Sequence, residues 1–279
     1  MTDSGVGMRV GVFDSGIGGL TVLAACARLN PACTFYYFGD NGRAPYGSRP
    51  PEEITSFVRE ALDRFKILKV DAAVLACNTA TAVCADLLRA EYSFPIVGME
   101  PAVKPAAEVC ERVLVLATPR TAESARLHAL IKCYPNRHFT VHAAEGLAAA
   151  IEEKFLRGKE LELSEFLPKG RFDGVVLGCT HYSFLREEIS AFYGAPVFDG
   201  ALGTAKRLRF LLMKEGERRG EVEKLKKIGI INHLQPAENP NNCFSQNRNK
   251  MGKIEIIFLG KYKNPNKYLF CREFTLKKF

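Results

Sequence analysis

Apolar residues along the chain fall into short unbroken runs separated by longer stretches with a helical repeat. Arg9–Phe13, Phe35–Phe38, Ala72–Ala76, Phe94–Gly98, Arg112–Leu116, Phe139–His142, Gly174–Leu177 and Val197–Asp199 read as strands. Continuous apolar runs bounded by polar residues suit strands buried on both faces of a parallel sheet. Between them apolar positions recur every three or four residues. One such stripe is Leu20, Leu23, Ala24 and Ala27; a second is Ile54, Phe57, Val58, Ala61, Leu62 and Phe65; a third is Ala80, Val83, Leu87 and Leu88. Leu127, Leu130, Ile131 and Tyr134, then Leu147, Ala150, Ile151 and Phe155, then Ala201–Met213 continue the series. These stripes predict core-packed helices, and the alternation predicts an α/β fold with parallel sheets.

Two stretches are near copies. Val70-Asp71-Ala72-Ala73-Val74-Leu75-Ala76-Cys77-Asn78-Thr79-Ala80 and Phe172-Asp173-Gly174-Val175-Val176-Leu177-Gly178-Cys179-Thr180-His181-Tyr182 each run Asp, apolar strand, small residue, Cys, polar turn. Their cysteines are 102 residues apart, and Arg9-Val10-Gly11-Val12-Phe13 recurs in character 103 residues on as Arg112-Val113-Leu114-Val115-Leu116. Two matches at nearly one offset predict two related α/β halves, each delivering a thiol to a strand end. Open α/β sheets bind ligands at the carboxyl ends of their strands. The competing view is two unrelated strands that both end in Cys, a common buried residue. A chain turn at Met99-Glu100-Pro101 divides the halves. The expected domains are 1–98, completed by about 211–279, and 99–210.

The bulk numbers narrow the class. A chain of 279 residues can bury a large core in one or two domains. It has no apolar stretch long enough for a membrane span, and residues 1–7 lack the blocks of a signal peptide. Nine cysteines, an odd number without framework spacing, point to reduced thiols and a cytoplasmic setting. The net charge of +8 belongs to the tail: from Lys214 onward there are 15 Lys and Arg against 7 Asp and Glu, and the preceding residues balance. Such a tail can bind nucleic acid, but a solvated segment is the commoner case. Residues 232–250 are rich in Asn, Gln and Pro without an apolar period, and only Ile254–Leu259 reads as a strand there.

Candidate chemistry lies at the strand ends. The turn Asp14-Ser15-Gly16-Ile17-Gly18-Gly19 is glycine-rich but lacks the dinucleotide spacing, and an Asp at its head would repel a pyrophosphate. Thiols ionise within reach of neutral pH. One thiolate could take a proton from carbon while the opposite thiol delivers one to the other face, a base and an acid of one kind. That symmetry suits a racemase, whose substrate and product are mirror images. His181 can stabilise a thiolate at Cys179, and Asp14 is its counterpart near Cys77. Ser15, Asn78, Thr79, Thr118, Thr121 and Thr180 offer hydroxyl and amide groups for a substrate's carboxylates and amine. Cys77, Cys179 and His181 lack the paired spacing of a structural zinc site.

The motifs Gly11–Gly19, Gly39-Asp40 through Arg43, Pro45-Tyr46-Gly47, Ala76–Ala80 and Leu177–His181 together resemble bacterial glutamate racemase, over about residues 8–213. The resemblance implies two similar three-layer domains with mostly parallel sheets, related by pseudo-two-fold symmetry, with the active site between them. It implies a cofactor-independent isomerase with no metal, interconverting L- and D-glutamate and supplying D-glutamate for peptidoglycan. It assigns Cys77 and Cys179 as the acid/base pair, supported by Asp14 and His181. It places Ser15, Tyr46, Gly47, Asn78, Thr79, Thr121 and Thr180 around the substrate. Glu152 matches the family's auxiliary acidic residue; a solvated helix position is the alternative. Ser183, Gly200 and Asn41 depart from the family pattern without removing a proton-transfer group. A homodimer is compatible with the resemblance. The alternatives are a racemase of a related amino acid such as aspartate, a Cys/His metal or redox module, and a binding role through the basic tail.

Overall fold

The computed structural model describes residues 7–218 and 220, and the backbone of residues 254–258 and 274–276. Strands β1 (Arg9–Asp14), β2 (Thr34–Gly39), β3 (Ala72–Leu75) and β4 (Ile96–Gly98) join β9 (Ile254–Phe258) and β10 (Phe274–Leu276) in a six-stranded sheet ordered β10-β9-β2-β1-β3-β4. Strands β5 (Arg112–Ala117), β6 (His138–Ala143), β7 (Gly174–Gly178) and β8 (Val197–Phe198) form a second sheet ordered β6-β5-β7-β8. Every pairing is parallel.

Each sheet is buried on both faces. Helices α1 (Leu20–Leu29) and α9 (Ala201–Arg218) cover one face of the first sheet, with Val22, Leu23, Cys26, Ala205, Leu208 and Leu212 packed on Val10, Val12 and Val74. Helices α2 (Pro51–Ile67) and α3 (Asn78–Glu91) cover the other. Prolines at its first turn, Glu52 and Glu53 there, and Arg64 and Lys66 in its last turn favour α2 at its observed place. The second sheet packs α4 (Val103–Val109) and α6 (Ala125–Lys132) on one face. Its other face carries α7 (Leu147–Arg157), α8 (Arg186–Tyr193) and the 3₁₀ turn Thr180–Leu185. A short α5 (Pro119–Ala122) follows β5.

The two halves repeat one plan down to register. Val10 stands opposite Ala72 in the first sheet, and Val113 opposite Gly174 in the second, 103 and 102 residues on. Asp71 caps the edge of β1 through the Arg9 backbone N–H at 2.7 Å, and Asp173 caps β5 through the Arg112 N–H at 2.9 Å. The strand orders β2-β1-β3-β4 and β6-β5-β7-β8 are the same. Duplication, rather than coincidence, accounts for the repeated Asp-strand-Cys motif.

Several sequence expectations need correction. Helix α9 runs five residues past Met213, to Arg218. Leu87 is 54 % exposed, because α3 is turned so that Ala80, Cys84, Ala85 and Leu88 face the core. Val22 and Cys26, rather than Leu20 and Ala24, are buried with Leu23 and Ala27 on α1. Phe94 precedes its strand, which begins at Ile96. Helices α4 and α8 and strand β10 were not expected; β10 has three residues, too few for a periodic signal. The seven cysteines among the described residues are free thiols. Among the described residues no helix is long and apolar enough to cross a membrane. Residues 1–6 and the Asn-rich stretch 232–250 lie outside the described residues, as do the side chains of the basic tail beyond residue 220.

Candidate active site

Strands β1, β3, β5 and β7 each end on a chemically active residue: Asp14, Cys77 two residues beyond Leu75, Thr118 and Cys179. All four are buried. Parallel strands of one polarity put these ends on one edge of each sheet, and contacts across the halves bring the edges together.

The β1–α1 turn is the centre. The Ser15 hydroxyl lies 3.5 Å from the Cys77 thiol. Its neighbour Asp14 accepts a hydrogen bond from the Thr180 hydroxyl of the other half at 3.2 Å. Asp14 also takes the Gly16 backbone N–H at 2.9 Å, which folds the turn back on itself. The turn touches the second half so closely that a Cβ on Gly18 would come 2.5 Å from Thr180 Oγ1, and one on Gly16 would come 2.3 Å from Glu152 Oε1. Tyr37 donates to the Gly16 carbonyl at 2.6 Å from beneath.

On the second half, Cys179 lies 3.9 Å from His181 Nδ1, and His181 Nε2 lies 2.8 Å from Glu152 Oε1. Glu152, on α7, is therefore bonded to a buried imidazole and not solvated as a plain helix position would be. The His181 side chain is only 3 % exposed. Burial alone would push its pKa down; hydrogen bonds and charge from Cys179 and Glu152 outweigh this and hold it well above the ordinary value. Burial raises the Asp14 carboxyl, against the opposing pull of His181 and the backbone of Gly16 and Gly19. The Cys77 thiol is pushed up to about 12, first by burial and next by Asp14, while Ser15 and the Ala80 N–H oppose the rise.

Cys77 caps α3, accepting from the Ala80 N–H at 3.5 Å. The same helix start presents Asn78 and Thr79. Asn78 Nδ2 donates to the Met99 carbonyl at 3.4 Å, and its buried Oδ1 has no partner among the described residues. Thr79 meets Thr118 at 2.9 Å and Thr121 at 3.3 Å, and Thr118 donates to Thr121 at 3.1 Å. Gly47 rests on this triad; a Cβ there would lie 2.9 Å from Thr118 Cβ. The Tyr46 hydroxyl is committed to Asp40 at 2.5 Å, so Tyr46 offers the site its ring and backbone.

All twelve residues that the resemblance assigned fall in one connected cluster spanning both halves. Thr118, which the family motifs did not single out, is the middle of the hydroxyl triad. Asp40, buried and held by Tyr46 and by Arg43 Nε at 2.6 Å, was legible only as part of a loop motif. Gly200, a departure from the family pattern, sits where a Cβ would lie 2.2 Å from the Glu100 carbonyl, so the chain path leaves no room for a side chain. No group of metal-ligating side chains is found among the described residues. One open cleft of about 470 Å³, lined in part by Arg89, Phe94, Arg207 and Lys214, includes none of these residues.

Residues 19–208 match the family described as Asp/Glu/Hydantoin racemase. A glutamate racemase from Clostridium novyi is 38 % identical over 218 residues, 74 % of this chain and 84 % of the relative. Among solved structures, Escherichia coli glutamate racemase in complex with L-glutamate and the activator UDP-MurNAc-ala is 26 % identical, with a TM-score of 0.74 over 98 % of both chains. A glutamate racemase isoform from Bacillus anthracis is 29 % identical, with a TM-score of 0.67 over 91 % of this chain and 89 % of that one. With two thirds of its length matched and its strand ends arranged as above, the chain belongs to the Asp/Glu/Hydantoin racemase family.

Proposed function

We propose that this protein is a cofactor-independent glutamate racemase in which Cys77 and Cys179 exchange protons with opposite faces of the substrate's Cα. The observation that carries this is the path of contacts from Cys77 through Ser15 and Asp14 to Thr180, beside Cys179. It ties one thiol from each half to a single two-residue turn.

The two thiols have different helpers, which sets their roles. Cys179 faces a buried imidazole that Glu152 holds at its far nitrogen and that can stabilise a thiolate there, so Cys179 serves as the base. Cys77, raised to about 12, holds its proton near neutral pH and acts as the acid. As the Cα proton moves to Cys179, Cys77 protonates the other face and becomes the thiolate, stabilised by Ser15 and the Ala80 N–H. The reverse direction starts from that state. Asn78 Oδ1, buried and free to accept, suits the substrate's ammonium. The hydroxyls of Thr79, Thr118, Thr121 and Thr180 and the backbone at Tyr46 and Gly47 suit its two carboxylates.

On this reading residues 1–98 with about 211–279 form one domain and 99–210 the other, except that the start of α9, whose Ala205 and Leu208 pack in the first core, goes with the first domain; the substrate lies between the two. The enzyme works in the cytoplasm and supplies D-glutamate to peptidoglycan. A homodimer is compatible with it, and sedimentation decides that point. The substrate is tested by following circular dichroism with L-glutamate and L-aspartate side by side. Decay of the glutamate signal to zero, with the aspartate signal unchanged over the same time, is expected. Equal or faster loss of the aspartate signal overturns the assignment to glutamate.

A further inference from the structure

We infer that Arg120 is a positioning residue for substrate binding, which clasps the Tyr46–Arg49 loop from the opposite half and adds positive charge beside the hydroxyl triad that favours a dicarboxylate. The inference rests on the racemase reading above and extends it to a residue outside the thiol machinery. Arg120 lies between Thr118 and Thr121, two members of the hydroxyl triad. Its backbone N–H donates to the Gly47 carbonyl at 3.2 Å, and its side-chain Nε donates to the Arg49 carbonyl at 3.1 Å. Two bonds from one residue thus fix the loop that carries Tyr46 and Gly47 against the corner after β5. Gly47 is pressed on Thr118 with no space for a Cβ, so the loop cannot settle closer by itself.

Charge pairing separates Arg120 from its neighbours. Arg43 is matched by Asp40 and Glu60, and Arg49 by Glu53 at 3.0 Å. Arg120 forms no ion pair with a carboxylate among the described residues, and it is half-buried. The rest of the site offers little positive potential. Its binding groups are neutral hydroxyls and amides, and its formal charges are Asp14 and Glu152 against His181. An amino-dicarboxylate carries one net negative charge and must place two carboxylates among those hydroxyls. A cation without a carboxylate partner, carried one residue from Thr121 of the triad, attracts such a ligand with an interaction that salt weakens. A guanidinium also keeps a planar donor fixed on the Arg49 carbonyl, which an ammonium does not reproduce.

The test is initial-rate kinetics on L-glutamate for the full chain, Arg120→Gln and Arg120→Lys, at low salt and at about 0.15 M. Arg120→Gln is expected to raise KM about tenfold, to leave kcat within about twofold, and to flatten the salt dependence of kcat/KM. Arg120→Lys is expected to keep that salt dependence, with KM raised only a few-fold by the lost clasp. An unchanged KM in Arg120→Gln, a fall in kcat alone, or one salt slope in all three proteins overturns the inference while leaving the racemase reading in place. Absence of any glutamate turnover in the unmodified protein overturns that reading and this inference together.

Discussion

Both ring nitrogens of His181 face a group that favours the imidazolium: Cys179 on one side and Glu152 on the other. Because the folded pKa stands above the ordinary 6.5, the group stabilises the fold fully below that value. The contribution is lost as pH rises through the folded value. Glu152→Gln removes one of the two raising groups, so the alkaline loss of stability should begin at lower pH than in the unmodified protein. Urea midpoints measured across pH check this, and superimposable profiles would contradict it. Glu152 acts through His181, so the same change should also lower the alkaline limb of the racemisation profile. Thr118→Val removes the middle hydroxyl of the triad and leaves Thr79 and Thr121 short of a partner. A cost of about 1–3 kcal/mol in urea denaturation is expected. The cysteines, Asp14 and His181 were legible because strand-end position and residue type already carry chemistry. Thr118 was legible as a strand-end hydroxyl, though not its place at the middle of the triad; Arg120 was not, since what distinguishes it is contact with Gly47 and Arg49 across the halves, which no local pattern encodes.

At the scale of elements, the β1–α1 turn decides whether the site exists. Its glycines are needed for close approach: a methyl group on Gly18 would meet Thr180 Oγ1 at 2.5 Å and the His181 backbone nitrogen at 2.7 Å. Gly18→Ala should push the turn off the second half and separate Asp14 from Thr180. Racemisation is expected to fall by about a hundredfold or more, with a stability loss of about 1–3 kcal/mol. Rates and denaturation curves for the one variant check both numbers, and full activity would mean that the turn is not pinned as described. The strands that build this edge were readable because burial on both faces leaves an unbroken apolar run. Helix faces were read less well. Cys84 and Ala85 carry the buried side of α3, and Leu87, placed on the expected stripe, is exposed. Small residues packed tightly on a neighbour carry a weak hydrophobic signal. Helix α8 follows a 3₁₀ turn full of aromatic and polar residues, so its start was masked by its neighbour.

At the scale of the molecule, duplication supplies two equivalent strand ends, and α9 returns the chain from the second half to the first. Ala205, Leu208 and Leu212 on α9 complete the first core beside Val22, Leu23 and Val74. Leu208 is fully buried there, so Leu208→Ala should cost about 2–5 kcal/mol, read as a lower urea midpoint. A loss below about 1 kcal/mol would mean that α9 is not seated in that core. The repeat was visible in sequence because both copies keep the Asp, the strand and the thiol. The helix itself was expected over Ala201–Met213; its extension to Arg218 was not.

The claim on which the rest depends is that two thiols, one from each half, act on a single carbon. Entry of solvent deuterium at Cα of glutamate measures this directly in the unmodified protein, Cys77→Ser and Cys179→Ser. The account predicts exchange at the rate of turnover in the first, and a fall of about 10²-fold or more in racemisation-linked exchange in each variant. Full-rate exchange in both variants would contradict it.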